Sequence, residues 1–558
     1  MKKQIWLYAA ALVALTSCNS KMNQFAAEYF TTNPNPLEVT AHQVPATVTG
    51  NIPAKFFPKN AVVTVTPYLV YGDNEKAATP FTYQGQDVRG NNNVISYERG
   101  GLMTMPVNFA YTPEMKTSAL ELGFTVDQKG KQYTLPRVKV ADGVIATSTL
   151  VNAGDVDPAL TPDKFQRIIN EKYSADIRFL INQANVRQSE TSSAEVQSLN
   201  QTLSDASKDA FREIRELNIS SYASPEGGID INTRLAENRE KNTSEYLRNQ
   251  LKKDNITEFG ELTAQFTPED WEGFSRLVAT SNIQDKELIL SVLSMYNDPE
   301  QREREIRNLS HVFEQLADEI LPQLRRSRIT ASIDVIGKSD NEIAYYVDNS
   351  PKELTIDELL YAATLTDDAG RKAQIYDLAT EQFPNDYRGY NNLGLLQYQA
   401  GDYEAASENF NKAARLAPTS AEVKMNQGLI SLVNNNYNAA NEAFGYAGGL
   451  DNLGEALGVY YLEKGDAAAA VKSFGDSKTN NAAVAQIMNG DYSRAKNTLE
   501  SIKDPDAKTY YLKAITAART GNAAGVLSNL NRVKDLDPEM AKQAASDLEF
   551  RNYKNLGL

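Results

Sequence analysis

Tyr390-Asn391-Asn392-Leu393-Gly394, followed by Gly401, Ala406, Phe410, Ala413 and Pro418, is the stretch whose reading decides the architecture. Moving on by 34 residues returns Gly428, Ala440, Phe444 and Ala447. Shorter copies follow at Gly458, Gly465, Ala470 and Phe474, at Gly490, Ala495 and Leu499, and at Gly521, Leu530 and Pro538. The spacing has a mechanical cause. Small residues let two helices of a hairpin approach closely, and the Phe fills the space against the next hairpin. Each hairpin buries too little alone, so such units are stable only as a stack.

This register resembles the tetratricopeptide repeat. The resemblance implies an all-α solenoid over residues 354–550, with five or six repeats and an irregular first one ending at Pro384. It also implies a groove that takes a protein partner through side chains on the inner helices, without catalytic residues.

Upstream, Met1-Lys2-Lys3 and the apolar run from Ile5 to Leu15 form a leader too short to cross a bilayer. Leu15-Thr16-Ser17-Cys18 ends it and resembles a bacterial lipobox. The resemblance implies a signal peptide over 1–17, acylation of Cys18, a lipidated tether over 18–36 and an outer-membrane anchor, because Asn19 rather than Asp follows the Cys. A tether without an acidic cluster favours a periplasm-facing position.

The whole chain has 558 residues, which suggests three or four domains. A net charge of −15 argues against nucleic acid as a partner. One Cys and two His (His42 and His311) exclude a disulfide framework and a Cys/His zinc site, so no metal, no cofactor and no enzyme activity are expected.

Residues 37–155 read as an all-β sandwich. Ala61 to Thr66 is β-branched, Leu102 to Met105 and Leu120 to Phe124 alternate, and Gly/Asn/Asp clusters separate the runs. Residues 165–340 alternate strand and helix. Strands are expected at Ile177–Ile181, Leu217–Ala223, Leu262–Phe266 and Ile329–Val335, and helices over Ser193–Leu217 and from the Ser-Pro-Glu-Gly-Gly turn to Leu251. Between them Leu309, Val312, Phe313, Leu316, Ile320 and Leu324 share one helical face, which reads as core.

Tyr222-Ala223-Ser224-Pro225-Glu226-Gly227 leads into Asn232-Thr233-Arg234-Leu235-Ala236-Glu237-Asn238-Arg239. Here the chain resembles the OmpA-like domain, a periplasmic module that binds peptidoglycan. The resemblance implies an α+β fold carrying a helical insertion at about 267–326. It also implies that Arg239 grips the carboxylate of diaminopimelate while a turn residue meets the ammonium. Asn232, Leu235 and Arg239 keep the family spacing, but Ser224 stands where the family has Asp, leaving Glu226 to supply the charge. Alternatively Ser224 only caps the turn and Arg239 makes an internal ion pair.

Other motifs read as structural. Gly337-Lys338-Ser339 imitates the end of a phosphate loop without the upstream Gly, Glu269-Asp270-Trp271-Glu272 sits at a helix start, and Leu324-Arg325-Arg326-Ser327-Arg328 closes a helix before a strand. The expectation is therefore a periplasm-facing, non-enzymatic outer-membrane lipoprotein that acts as a cell-envelope scaffold. A surface-exposed accessory of an adhesin or fimbrial system, or a cell-wall turnover enzyme, are the alternatives.

Overall fold

The computed structural model describes residues 22–308 and 310–553, so the leader and Cys18 lie outside the described residues. Two compact units emerge, and one of them is discontinuous in sequence. The first joins the residues up to Pro162 with those from Ala369 onward, and the second is Asp163–Asp368.

The first unit opens with nine strands: β1 (Phe30–Asn33), β2 (Gln43–Ile52), β3 (Ala61–Tyr71), β4 (Asn74–Ala77), β5 (Phe81–Gly85), β6 (Asn93–Ile95), β7 (Gly101–Ala110), β8 (Ser118–Gln128) and β9 (Lys131–Gly143). One sheet has the order β1-β2-β7, and the other runs β6-β5-β3-β8-β9 with β4 on β3. Strict alternation in β2, β3, β7 and β8 turns one face of each inward. Val44, Val48, Met103 and Met105 of one sheet thus share a core with Val63, Val65, Leu120 and Leu122 of the other.

After Ala369–Gln382 come five consecutive helix pairs: Tyr387–Gln399 with Tyr403–Leu416, Ala421–Val433 with Tyr437–Phe444, Leu453–Glu463 with Ala467–Phe474, Asn480–Met488 with Tyr492–Glu500, and Ala507–Arg519 with Ala523–Leu536. A Cβ on Gly394, Gly428 or Gly458 would collide with the ring of Phe410, Phe444 or Phe474 respectively. That is the small-residue and Phe pairing that the spacing required. The turn inside each pair is made by Gly401, Asn435, Gly465, Gly490 or Gly521, all at positive φ.

The second unit holds β10 (Ile168–Arg178), β11 (Arg212–Tyr222), β12 (Glu261–Thr267) and β13 (Arg326–Ile336) in the order β10-β13-β11-β12. β11 and β12 are parallel, while β13 runs antiparallel to both β10 and β11. The helices Ala194–Ala206 and Ile229–Lys253 connect successive strands. Short helices from Trp271 to Leu324 interrupt the sheet, with Leu316, Ile320 and Leu324 buried beside Phe274, Val278 and Ile289 in a core of their own.

Four expected bounds shift. The tether expected to run to residue 36 gives way earlier to the sandwich, because Met22, Phe25 and Phe30 are buried in its core and β1 begins at Phe30. The strand expected to reach Ile181 stops at Arg178, because the chain turns at Asn182 (φ +55°) and leaves Leu180 and Ile181 exposed. The helix expected to run to Leu217 ends at Ala206, and β11 takes over from Arg212. The repeat region does not include the helix Ile356–Ala362. Lys338 bonds Glu358 at 3.1 Å and Phe165 stacks on Tyr361 at 4.4 Å, which hold that helix in the second unit.

Candidate functional site

The groove along the first helices of the repeat pairs is already filled, by the chain's own segment from Asn152 to Thr161. Asn392 accepts the Thr161 N–H at 3.0 Å and donates to the Thr161 carbonyl at 3.0 Å. Asn426 accepts the Ala159 N–H at 2.7 Å and donates to the Ala159 carbonyl at 2.8 Å. Asn481 does the same for Asn152, at 2.9 and 2.8 Å. A primary amide offers one donor face and one acceptor, so each Asn brackets one residue of main chain much as a neighbouring β-strand would.

Placement of these amides follows from the repeat. Asn392, Asn426 and Asn481 each stand nine residues before the positive-φ turn residue of their own pair, Gly401, Asn435 and Gly490. Ala456 and Leu512 hold the same position in the other two pairs and cannot bond the main chain. There Asn452 donates instead to the Asp157 carbonyl at 2.5 Å, and Lys508 pairs with Asp155 at 2.8 Å. Tyr398 completes the set by donating to the Ala153 carbonyl at 2.7 Å, and burial pushes its phenol well up. The three Asn clamps meet the segment against the repeat order, Asn481 of the fourth pair at Asn152, Asn426 of the second at Ala159 and Asn392 of the first at Thr161.

Apolar packing accompanies the amides. Val156 and Ala159 are buried in the same core as Tyr398, Met425 and Leu429. The flanks of the segment are tied down as well. Arg519 pairs with Glu549 and Glu38, both at 2.6 Å, Thr147 donates to Glu549, and His42 meets Glu463 and Tyr437. Burial works against charge on both Arg519 and Glu549, but the ion pairs outweigh it for Arg519, whose pKa rises. The signal missed in the sequence was the recurrence of Asn at one inward helical position, where an apolar residue is the default.

In the second unit the structure brings Ser224, Glu226, Asn232 and Arg239 to the end of β11 but commits all four internally. Arg239 is buried, and its fork donates to the carbonyls of Tyr222 (2.8 Å), Gln183 (3.0 Å) and Leu180 (3.4 Å). Burial first, then nearby Arg325, brings its guanidinium down to about 10. Glu226 is held bidentately by Arg325 at 2.8 and 2.9 Å and accepts from Ser224 at 2.7 Å. Asn232 donates to the Gly227 carbonyl at 2.6 Å. The diaminopimelate grip expected at Arg239 is therefore not presented to solvent, and the internal ion pair belongs to Arg325.

The remaining motifs resolve as scaffolding. Arg326 pairs with buried Asp270 at 2.9 Å and Arg328 with Asp176 at 2.8 Å, so the basic run is neutralised within the unit. Asp270 also caps the helix Trp271–Thr280, and Glu269 accepts from the Trp271 indole at 2.9 Å. A helix does follow Gly337-Lys338-Ser339, and Ser339 caps it through a capping box with Glu342. No group of His, Cys, Asp and Glu able to hold a metal occurs among the described residues. No described helix is long and apolar enough to cross a membrane.

Residues 387–420 match the sequence model of the tetratricopeptide repeat. No curated protein matches the chain. Among solved structures, a tetratricopeptide repeat protein from Parabacteroides merdae is similar at 15% identity over 37% of this chain and 88% of that one, with a TM-score of 0.30. Pseudomonas aeruginosa PilF is similar at 17% identity over 37% and 97%, with a TM-score of 0.29. The matched residues and the helix pairs that continue their register make the C-terminal part of the chain a tetratricopeptide-repeat region.

Proposed function

We propose that this chain is a non-enzymatic scaffold of the cell envelope that binds a protein partner through its tetratricopeptide repeats. The observation that carries this is the row of Asn392, Asn426 and Asn481 along the first helices, which is built to hold polypeptide main chain. In this reading the lipobox at Cys18 supplies an outer-membrane anchor and the repeats face the periplasm.

The α+β unit is the OmpA-like element of the proposal. Alternation of strand and helix and the place of Arg239 on the helix after β11 support that assignment. We do not assign peptidoglycan binding to Arg239, because its fork is spent on three carbonyls. Arg239 is a structural residue here.

The test is cross-linking in cells from photoreactive residues placed on the repeat helices, together with fractionation of a Cys18→Ala variant. A protein cross-linked to the repeats, and loss of membrane partition in the variant, support the scaffold. Absence of any cross-linked protein would remove the partner role, and unchanged partition would remove the anchor.

A further inference from the structure

The ladder of amides reads chiefly main chain, and its clamps from the first two pairs, Asn392 and Asn426, grip residues that alternate. Ala159 and Thr161 are two apart, the spacing at which an extended strand returns to the same face. Both must offer an N–H, so neither position tolerates proline. In the segment Asp157-Pro158-Ala159-Leu160-Thr161-Pro162 the prolines occupy the positions that skip the ladder. Side-chain demands are few. Ala159 is enclosed, Thr161 adds a hydroxyl bond to Asn392 at 2.7 Å, and Leu160 points outward at 51% exposure.

We propose that the repeat groove is a peptide site whose resident ligand is the chain's own Asn152–Thr161 segment, one 3-10 turn at Ala153–Asp155 followed by irregular chain to Thr161, and that a partner peptide enters it only by displacing that segment. The ligand class is a polypeptide with a small residue two positions before a Ser or Thr and with free N–H groups at both. The displacement step rests on the protein-binding reading above, whereas the occupancy stands on the hydrogen bonds alone. A segment tethered on both sides competes at an effective concentration on the order of millimolar, which keeps weak external peptides out.

A fluorescein-labelled synthetic peptide covering residues 150–162 is the probe, titrated against the purified chain. The double variant Ala159→Pro/Thr161→Pro removes both donors from the resident segment and should bind the peptide at least about tenfold more tightly than the unaltered chain. Adding Asn392→Ala and Asn426→Ala should abolish that gain. Equal binding by the unaltered chain and the double variant overturns the proposal, as does a folded double variant that binds no peptide. Should that variant fail to fold, amide hydrogen exchange in the unaltered chain decides. Slow exchange at Ala159 and Thr161, released at Ala159 by Asn426→Ala, supports the proposal, and fast exchange in the unaltered chain overturns it. A groove that takes this peptide while no partner is cross-linked in cells would sink the scaffold reading and leave the site standing.

Discussion

Asn426 and Ala159 close a two-bond ring, the side-chain amide accepting the Ala159 N–H at 2.7 Å and donating to its carbonyl at 2.8 Å. Both residues are buried, Asn426 completely, so water cannot replace either bond. Asn426→Ala should therefore cost about 1–3 kcal/mol, the usual penalty for stranding buried polar groups. Urea denaturation of the purified chain measures it, with Asn411→Ala on the exposed side as a control expected to stay within about 0.5 kcal/mol.

Gly458 faces Phe474 so closely that an added Cβ would lie 2.5 Å from the ring. Gly458→Ala should destabilise the first unit by about 1–3 kcal/mol through overpacking. The double variant Gly458→Ala/Phe474→Leu should recover part of the loss, which a double-mutant cycle in thermal unfolding would show.

Arg239→Ala should destabilise the second unit by roughly 3 kcal/mol or more, because three buried carbonyls lose their donor. Arg239→Lys cannot span all three and should rescue little. Limited proteolysis of the 163–368 region would report the loss. Co-sedimentation with purified sacculi, where present, should decline only in step with that unfolding.

Asp506 caps the helix Ala507–Arg519 by accepting from the Thr509 N–H and hydroxyl, both at 2.7 Å. Burial works to raise its carboxyl, but the bonds from Thr509 and Asn480 outweigh it and hold the group below the ordinary carboxylate range. The cap therefore contributes stability above that ordinary value and loses it as pH falls through the lower folded one. Asp506→Ala should lower the thermal midpoint at neutral pH, and the gap to the unaltered chain should narrow below about pH 4. Asp506→Asn should keep the cap without that pH dependence.

What could be read in the sequence was whatever local packing imposes with a period. Gly394, Phe410 and their copies at Gly428 and Phe444 meet in the structure because a hairpin stack cannot form otherwise. Val63 and Val65 alternate inward because a sandwich has one dry face per sheet. The segment from Asn152 to Thr161 carries no such period, and its partners are set by side chains far along the chain. The Ser224 turn misled for a related reason. Arg239 turns instead onto the carbonyls of Leu180, Gln183 and Tyr222, while Arg325 reaches Glu226 from the end of the inserted helices, and spacing within one helix records neither.

The first unit is split in the chain by the whole of residues 163–368. Thr161 and its clamp Asn392 are 231 positions apart, and Asn152 and Asn481 are 329. During synthesis or export the segment must therefore emerge long before anything exists to receive it. Its last Asn clamp, Asn481, arrives only with the fourth helix pair. Closing so long a loop costs little more entropy than closing a short one, but it cannot happen early. The nascent chain thus spends that interval with a ready-made peptide ligand unprotected, open to a chaperone or a neighbouring copy.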